Sequence, residues 1–301
     1  MNTKNLNKTD RRNALWLGSI TGDAFVLGGH WIYDVNKLKS SFPDYNRPQN
    51  PLPDTFHKNK KLGDQTHYGD QARNLWQHLA DNAGIYDPNE YRQEWLRFMS
   101  SYEGYMDGAS KETYSALQND ILFGSGSDEL GGTARFAAIY YWLEDAQQAM
   151  LAAIDQSRMT HDNRQATAIT VLFATALQKI LDAKDDDMSV FKVLEKAKIQ
   201  MIAEDEYDMK LILASFDTVG SLQDFSAEAI AENLGQSCHA KHALPVILAV
   251  LKQTEDYQEA MKLNVMIGGD SATRAMIIGA LLGAKYGIKV IPQEWIDVIR
   301  D

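Results

Sequence analysis

The sequence predicts an all-α fold, built as a single domain over residues 1–301. Apolar residues recur at helical spacing through most of the chain, whereas the sequence shows no sustained period-two alternation and no Asn-Gly hairpin turn. A hydrophobic share of 45% suffices for a large core and excludes a disordered chain. A single cysteine excludes a disulfide scaffold.

Charge and hydropathy narrow the classes of partner. The 30 basic and 41 acidic side chains give a net charge of −11, and no basic cluster indicates a nucleic-acid-binding face. The longest uncharged run, 165–178, is too short for a membrane span, which needs about 18 apolar residues. No signal peptide is evident, and the lone Cys238 fits a reducing compartment. We therefore expect a cytoplasmic protein that binds neither nucleic acid nor membrane.

The first predicted helix starts near Asp10, and its apolar positions run at helical spacing to Phe25. Four of the seven prolines crowd the stretch that follows. Because proline fixes φ and lacks an N–H donor, 42–61 is predicted to be a long irregular loop. Loops of this length in compact domains often serve as lids or binding loops.

Capping signals indicate where helices begin in the middle of the chain. Pro88 stands between Asp87 and Glu90, which is the pattern of a capping box with proline in the first turn. Ser110 is predicted to cap a short helix, and glycines mark a second loop at 124–132. Helices are predicted to fill most of the remainder, over 133–143, 144–157, 163–183, 190–203, 227–234, 239–251, 255–265, 271–286 and 293–299.

A glycine pair before Asp270 predicts a tight turn followed by a helix N-cap. Beyond it, Gly279, Gly283 and Gly287 recur every four residues, so small residues share one helical face that another backbone can approach closely. A capped, tightly packed core helix accounts for this pattern. The alternative makes Asp270 and Thr273, one turn apart, oxygen ligands of a hard cation at the start of the helix.

Three polar residues stand in apolar surroundings. Asp23 lies inside the first helix, where an ionised carboxylate must be paired or hydrogen-bonded. His30 precedes Trp31 and is either a packed core histidine or a ligand. Asp70 precedes an amphipathic run and is either a helix cap or a metal-facing carboxylate that follows the proline-rich loop.

Taken in order, these segments resemble the ADP-ribosylglycohydrolase family, which includes the dinitrogenase-reductase-activating glycohydrolases and the J1-crystallins. The family has Gly-Asp-Ala in its first helix, Thr-Asp-Asp-Thr after a loop and Gly-Asn-Gly-Ala-Ala-Met-Arg in mid-chain. Further along the chain, the family has a Thr-His pair that opens a later helix. Gly-Gly-Asp-Thr-Asp-Thr then precedes a small-residue helix. The counterparts in this chain are 22–24, 68–71, 130–135, 160–161 and 268–273. The resemblance spans nearly the whole chain, and the last segment is its most specific part.

The resemblance implies an orthogonal helical bundle with a cleft in which two magnesium ions bind ADP-ribose. By this correspondence the metal ligands are Asp70, Asp270 and Thr273, because magnesium prefers carboxylate and hydroxyl oxygens. Two family carboxylates read Gly69 and Ala272 in this chain. Each loss removes ligand atoms and the negative charge that balances a dication. We therefore expect one magnesium ion or none, rather than two.

The resemblance also implies roles for the other residues. Asp70, Asp270 and His30 are the catalytic candidates, with His30 as general base because imidazole titrates near neutral pH. Asp23 would support the helix junction. Backbone N–H groups at glycines suit a diphosphate. The ligand-binding candidates are Gly131, Gly132, Arg135, Tyr68 and His161.

The expected function is that of a metal-dependent hydrolase that acts on an ADP-ribosyl or related ribosyl-glycosidic linkage. Its partner would be a small ADP-ribose-like ligand or an ADP-ribosylated substrate. The alternative is a catalytically silent, J1-crystallin-like member that binds a nucleotide-like ligand or serves a structural role. His30 and His67 stand near the altered metal site, and imidazole suits zinc better than magnesium, so a single ion of another metal is a further alternative.

Overall fold

The computed structural model describes residues 6–184 and 186–299. Within these ranges the chain forms helices and no strands, which confirms the predicted all-α fold. The first helices are α1 (Lys8–Val26), α2 (Val35–Ser41), α3 (His67–Asp81), α4 (Pro88–Ser100), α5 (Gly108–Gln118), α6 (Gly131–Ala134), α7 (Phe136–Trp142) and α8 (Ala146–Thr160). The remainder are α9 (Arg164–Leu181), α10 (Val190–Glu204), α11 (Lys210–Ser221), α12 (Ala227–Leu234), α13 (Ala240–Gln253), α14 (Tyr257–Ile267), α15 (Ser271–Tyr286) and α16 (Gln293–Ile296).

Side-chain caps define most helix starts, and two of them test the sequence predictions directly. Asp87 caps α4 by accepting hydrogen bonds from the backbone N–H groups of the next turn, as predicted, with Pro88 in the first turn. The cap of α5 is Asp107, whose carboxylate accepts from Ser110 N at 2.6 Å. The prediction that Ser110 is the cap was wrong because the helix begins one turn earlier.

Helix boundaries agree with the predictions where periodicity and caps coincide, as for α12 and α15. The predicted helices over 133–143 and 144–157 correspond instead to α6, α7 and α8, and the predicted helix over 293–299 ends at Ile296. Helices α2 and α11 have no counterpart among the predictions. The chain from 42 to 66 is irregular, as the prolines predict. None of the helices described here is both long and apolar enough to cross a membrane.

The centre of the fold is the antiparallel packing of α1 against α15. Every residue of α15 from Ser271 to Lys285 is buried. A Cβ atom on Gly18 of α1 would overlap the carbonyl oxygen of Gly279, and one on Gly283 would overlap that of Ala14. The two backbones are therefore in direct contact, as the spacing of the α15 glycines predicts.

A buried arginine, Arg11, fixes the contact between the first turn of α1 and the last turn of α15. The Arg11 guanidinium is 1% exposed, and its Nη1 atom donates to the carbonyl oxygens of Ala284 and Lys285 at 3.2 Å each. Its Nη2 atom pairs with Asp186 at 2.6 Å. A cation on the last carbonyls of a helix satisfies acceptors that have no intrahelical partner. This contact sets the register of α1 along α15.

The glycine contact predicts a large loss of stability for Gly279→Ala. The added methyl group has no space because its neighbour is the Gly18 backbone rather than a flexible side chain. We expect the free energy of unfolding, measured by urea denaturation, to fall by about 1–3 kcal/mol. The control is Gly220→Ala on α11, where a Cβ meets nothing within 4 Å. The control should be neutral or slightly stabilising, because alanine favours helix more than glycine. Equal effects of the two substitutions would contradict the packing argument.

Candidate functional site

Two turns meet where α1 ends and α15 begins. Trp31 N donates to Gly269 O at 2.8 Å, and Gly269 N donates to Ile32 O at 2.9 Å. Trp31 adopts φ 62°, a left-handed conformation that is uncommon for a bulky residue. This pairing places His30 against the start of α15, where Ala272 N donates to His30 Nδ1 at 3.3 Å.

Asp270 and Thr273 lie together at the start of α15, as predicted. Asp270 occupies the N-cap position, but its side chain makes no capping hydrogen bond. Its Oδ2 atom accepts from the Tyr68 hydroxyl at 3.1 Å, and its Oδ1 atom lies 3.8 Å from His30 Nδ1. Burial raises the pKa of Asp270, although the Arg274 guanidinium opposes this shift. Asp270 Oδ1 and Thr273 Oγ1 are buried without a hydrogen-bond partner among the described residues.

Asp70 belongs to a different group of side chains. Its carboxylate forms an ion pair with Lys60 and accepts from the Tyr102 hydroxyl at 2.5 Å. It lines a cavity of about 780 Å³ whose lining residues include Trp76 but not Asp270. Helical geometry explains this separation, because two residues correspond to a rotation of about 200°. Since Tyr68 faces Asp270, Asp70 faces away.

Asp23 anchors the start of α3. Its Oδ2 and Oδ1 atoms accept hydrogen bonds from Thr66 N and Thr66 Oγ1, both at 2.6 Å. Thr66 in turn caps α3 by accepting from Tyr68 N. Burial raises the pKa of Asp23 to about 6, although the two hydrogen bonds from Thr66 oppose this shift. Thr66 rather than Asp70 is thus the helix cap, and Asp23 lies at the junction of α1 and α3.

The predicted ligand-binding residues of the middle of the chain are packed internally. Arg135 is 1% exposed, and its guanidinium donates to Gln71, Gln156 and Thr160. A Cβ atom on Gly131 would lie 2.7 Å from the Tyr68 ring, and one on Gly132 would lie 2.7 Å from Ser157 O. A role in ligand binding for these residues stays a prediction.

His161 is also buried, at the C-terminal end of α8. Its Nδ1 atom lies 2.8 Å from Thr160 Oγ1. Burial lowers the pKa of His161 to about 4, so the ring is neutral at neutral pH. Its role in ligand binding likewise stays a prediction.

Three histidines form a cluster that could hold a metal ion. One ligand atom from each of His30, His57 and His67 lies within 4.8 Å of the other two, and all three rings are buried. Burial lowers the pKa of His30 and His57, so both are neutral. The sequence analysis missed His57, since it lies in the proline-rich loop at no recognised ligand spacing from the other two. Its nearness in sequence to His67 was the available signal.

Two magnesium ions do not suit the donors around Asp270. Magnesium requires oxygen ligands, and two dications need several carboxylates for charge balance. Asp270 and Thr273 offer two unpartnered oxygens, but the carboxylate of Asp70 is engaged by Lys60. The other side chains that approach Asp270 include His30 and Tyr68, which add no negative charge at neutral pH.

The comparisons with known proteins agree on one family. A family model described as ADP-ribosylglycohydrolase matches residues 4–301. Crystallin J1A from Tripedalia cystophora is 24% identical, over 96% of this chain and 91% of that protein. ADP-ribosylhydrolase ARH3 from Mus musculus is 24% identical, over 57% of this chain and 53% of that protein. A solved structure, an ADP-ribosylglycohydrolase-related protein complex, has the same fold, with a TM-score of 0.69, 23% identity and coverage of 98% of this chain and 93% of that one.

Burial of neutral His161 predicts a specific loss of stability in acid. The unfolded chain protonates this histidine below about pH 6.5, whereas the folded protein resists protonation until about pH 4. Stability is therefore lost as the pH falls through this window. Relative to His161→Asn, the free energy of unfolding of the unmodified protein should fall by roughly 1–2 kcal/mol between pH 7 and pH 5. Parallel stability curves from urea titrations at each pH would contradict the assignment.

Proposed function

Because the chain belongs to the ADP-ribosylglycohydrolase family, we propose that it is a hydrolase that cleaves an ADP-ribosyl or related ribosyl-glycosidic linkage. The observation that carries this proposal is the pair of unpartnered buried oxygens, Asp270 Oδ1 and Thr273 Oγ1. Buried polar atoms in folded proteins are nearly always hydrogen-bonded, so such a pair suggests a ligand. A carboxylate oxygen and a hydroxyl one turn apart suit the adjacent hydroxyl groups of a ribose.

The ligand would reach these oxygens past the proline-rich loop. Phe56 of this loop packs edge-on against Trp31 and Tyr105, with ring-centroid distances of 5.2 Å in both contacts. The Phe56 side chain is 59% exposed, whereas the next residue, His57, is buried. Displacement of the loop would expose Trp31 as a stacking surface for a purine base.

Asp270 and His30 take the chemical roles in this proposal. A carboxylate beside the ribose stabilises the positive charge that develops on the sugar ring as the glycosidic bond breaks. His30 is the candidate general base, and its Nδ1 atom is the ring nitrogen that faces Asp270. In this geometry Nδ1 accepts a hydrogen bond from Ala272 N, which the proton of the attacking water would have to displace. No step is assigned to magnesium, because the donors around Asp270 do not suit two such ions.

We further propose that the family's Thr-Asp-Asp-Thr segment corresponds to 66–69 in this chain, rather than to 68–71. Thr66 opens α3 as its cap, and the next two side chains, His67 and Tyr68, lie beside His30 and Asp270. This correspondence replaces both carboxylates of the segment by a histidine and a tyrosine. It accounts for the position of Asp70 in a separate cavity.

The second candidate function is a silent, J1-crystallin-like role in which a nucleotide-like ligand binds without turnover. The observation that favours it is the pairing of Asp70 with Lys60 and Tyr102, which removes a carboxylate from the available acids. The replacement of carboxylates by His67 and Tyr68 acts in the same direction. Binding and turnover therefore have to be measured separately.

If the protein is a hydrolase of this kind, Asp270→Ala should abolish its activity and leave the fold intact. We expect release of ADP-ribose from an ADP-ribosylated peptide to fall by roughly 100-fold or more, because the substitution removes the charge beside the ribose. Circular dichroism and thermal unfolding check the fold. The matched control is Asp182→Asn, which removes a carboxylate that pairs with Lys8 at the opposite end of α1. Normal turnover by Asp270→Ala would overturn the assignment.

Calorimetric titration of ADP-ribose separates the two candidate functions. Because Asp270 and Thr273 meet the ribose directly in this proposal, we expect binding both with magnesium and with a chelator. Binding together with release of ADP-ribose from a substrate supports the hydrolase. Binding without release supports the silent role. Failure to bind under either condition would contradict both.

A further inference from the structure

We propose that His30, His57 and His67 form a binding site for a single zinc ion. The three residues come from different segments, namely the turn after α1, the proline-rich loop and the first turn of α3. One ligand atom of each lies within 4.8 Å of the other two. Three imidazoles around one point are a ligand set of zinc enzymes, which leave a fourth position open. The site shares His30 and Asp270 with the proposed hydrolase: a His30 that binds zinc through Nε2 and donates Nδ1–H to Asp270 cannot also act as general base, so the two proposals describe the protein with and without bound zinc.

Unpartnered ring nitrogens are the first argument for the site. His30 Nε2 and both ring nitrogens of His57 and His67 are buried without a hydrogen-bond partner among the residues that the structure describes. A neutral imidazole carries one N–H donor and one lone pair, so each ring leaves polar groups unsatisfied. Each such unsatisfied buried group destabilises the folded protein. A cation that accepts one lone pair from each ring satisfies one nitrogen atom of each histidine.

Carboxylates behind two of the histidines are the second argument. His67 Nε2 lies 3.1 Å from Asp107 Oδ2, and Asp107 is held in turn by Ser110 N. A small rotation of the ring would let Nε2–H donate to Asp107 and leave the lone pair of His67 on Nδ1 for the ion. Metal-binding histidines usually donate their second N–H group to a carboxylate, which fixes the tautomer and the ring orientation.

His30 has the same arrangement with Asp270. Asp270 Oδ1, which has no hydrogen-bond partner among the described residues, lies 3.8 Å from His30 Nδ1. A small rotation of the ring would let Nδ1–H donate to this oxygen and leave the lone pair of Nε2 for the ion. The hydrogen bond that Ala272 N donates to Nδ1 requires the opposite tautomer, with the proton on Nε2. We therefore expect zinc binding to move the His30 proton from Nε2 to Nδ1.

The competing explanation is a purely aromatic cluster. Trp31 stacks on His30 at 4.5 Å and on His57 at 5.5 Å between ring centroids. Stacking accounts for the burial of these rings, but it satisfies none of their nitrogen atoms. The two explanations differ in one substitution, His57→Phe, which keeps a stacked ring and removes the ligand.

The test is zinc binding by the full chain after treatment with a chelator. We expect one zinc ion per chain by competition with a chromophoric chelator, and an increase in the midpoint of thermal unfolding when zinc is added. His57→Phe should weaken zinc binding by about 100-fold, because one of three ligands is lost. The control is His78→Phe on the same helix as His67, whose ring packs against Tyr91 away from the cluster. The control should bind zinc as the unmodified protein does.

Spectroscopy identifies the ligands without any assay of turnover. Cobalt added in place of zinc should give the visible absorption of a nitrogen-ligated, low-coordinate ion, and His57→Phe should lose it. Nitrogen chemical shifts of the histidine rings should show the metal on His67 Nδ1 and His30 Nε2. Absence of zinc binding, or binding that His57→Phe leaves unchanged, would overturn the proposal. Neither result would bear on the hydrolysis test at Asp270.

Discussion

The backbone contact between α1 and α15 is the constraint on which the site depends. Gly18 faces Gly279, and Gly22 faces Ala275 one turn nearer the site, so the two helices run antiparallel at the shortest separation that their backbones allow. The end of α1 therefore meets the beginning of α15. The turn that carries His30 and the turn that precedes Asp270 are brought together by this register, and two backbone hydrogen bonds then join them. Any side chain larger than hydrogen at Gly18 or Gly279 would separate the helices and, with them, the two turns.

A second buried interaction positions α3 relative to this pair. Asp23 of α1 holds the backbone and the hydroxyl group of Thr66, and Thr66 determines where α3 starts. The first helical side chains, His67 and Tyr68, are thereby directed at His30 and Asp270. Asp23 therefore acts on the site through Thr66: it sets the rotation of the helix that carries His67 and Tyr68. The site is the meeting point of three helix ends, each located by a buried contact outside it.

The sequence predicted the all-α fold, the small-residue face of α15 and the adjacent positions of Asp270 and Thr273 at the start of α15, because these follow from local periodicity and from residues one turn apart. It missed α11, whose start at Met209 has no side-chain cap. It also grouped Asp70 with Asp270, since motif matching counts positions along the chain, whereas a shift of two positions on a helix reverses the face. The inclusion of His57 depends on the path of an irregular loop, which no local pattern specifies.

The central contact also has a consequence for biosynthesis. The glycine face of the first helix, over residues 14–22, packs against residues 275–283 of α15. A ribosome delivers α1 first, so its glycine face and its embedded Arg11 gain their α15 partners only after residues 275–285 have been synthesised. Contacts between segments so far apart in sequence slow folding and prolong the exposure of apolar surface. The first helix of the nascent chain therefore stays without its α15 contact until that later helix emerges from the ribosome.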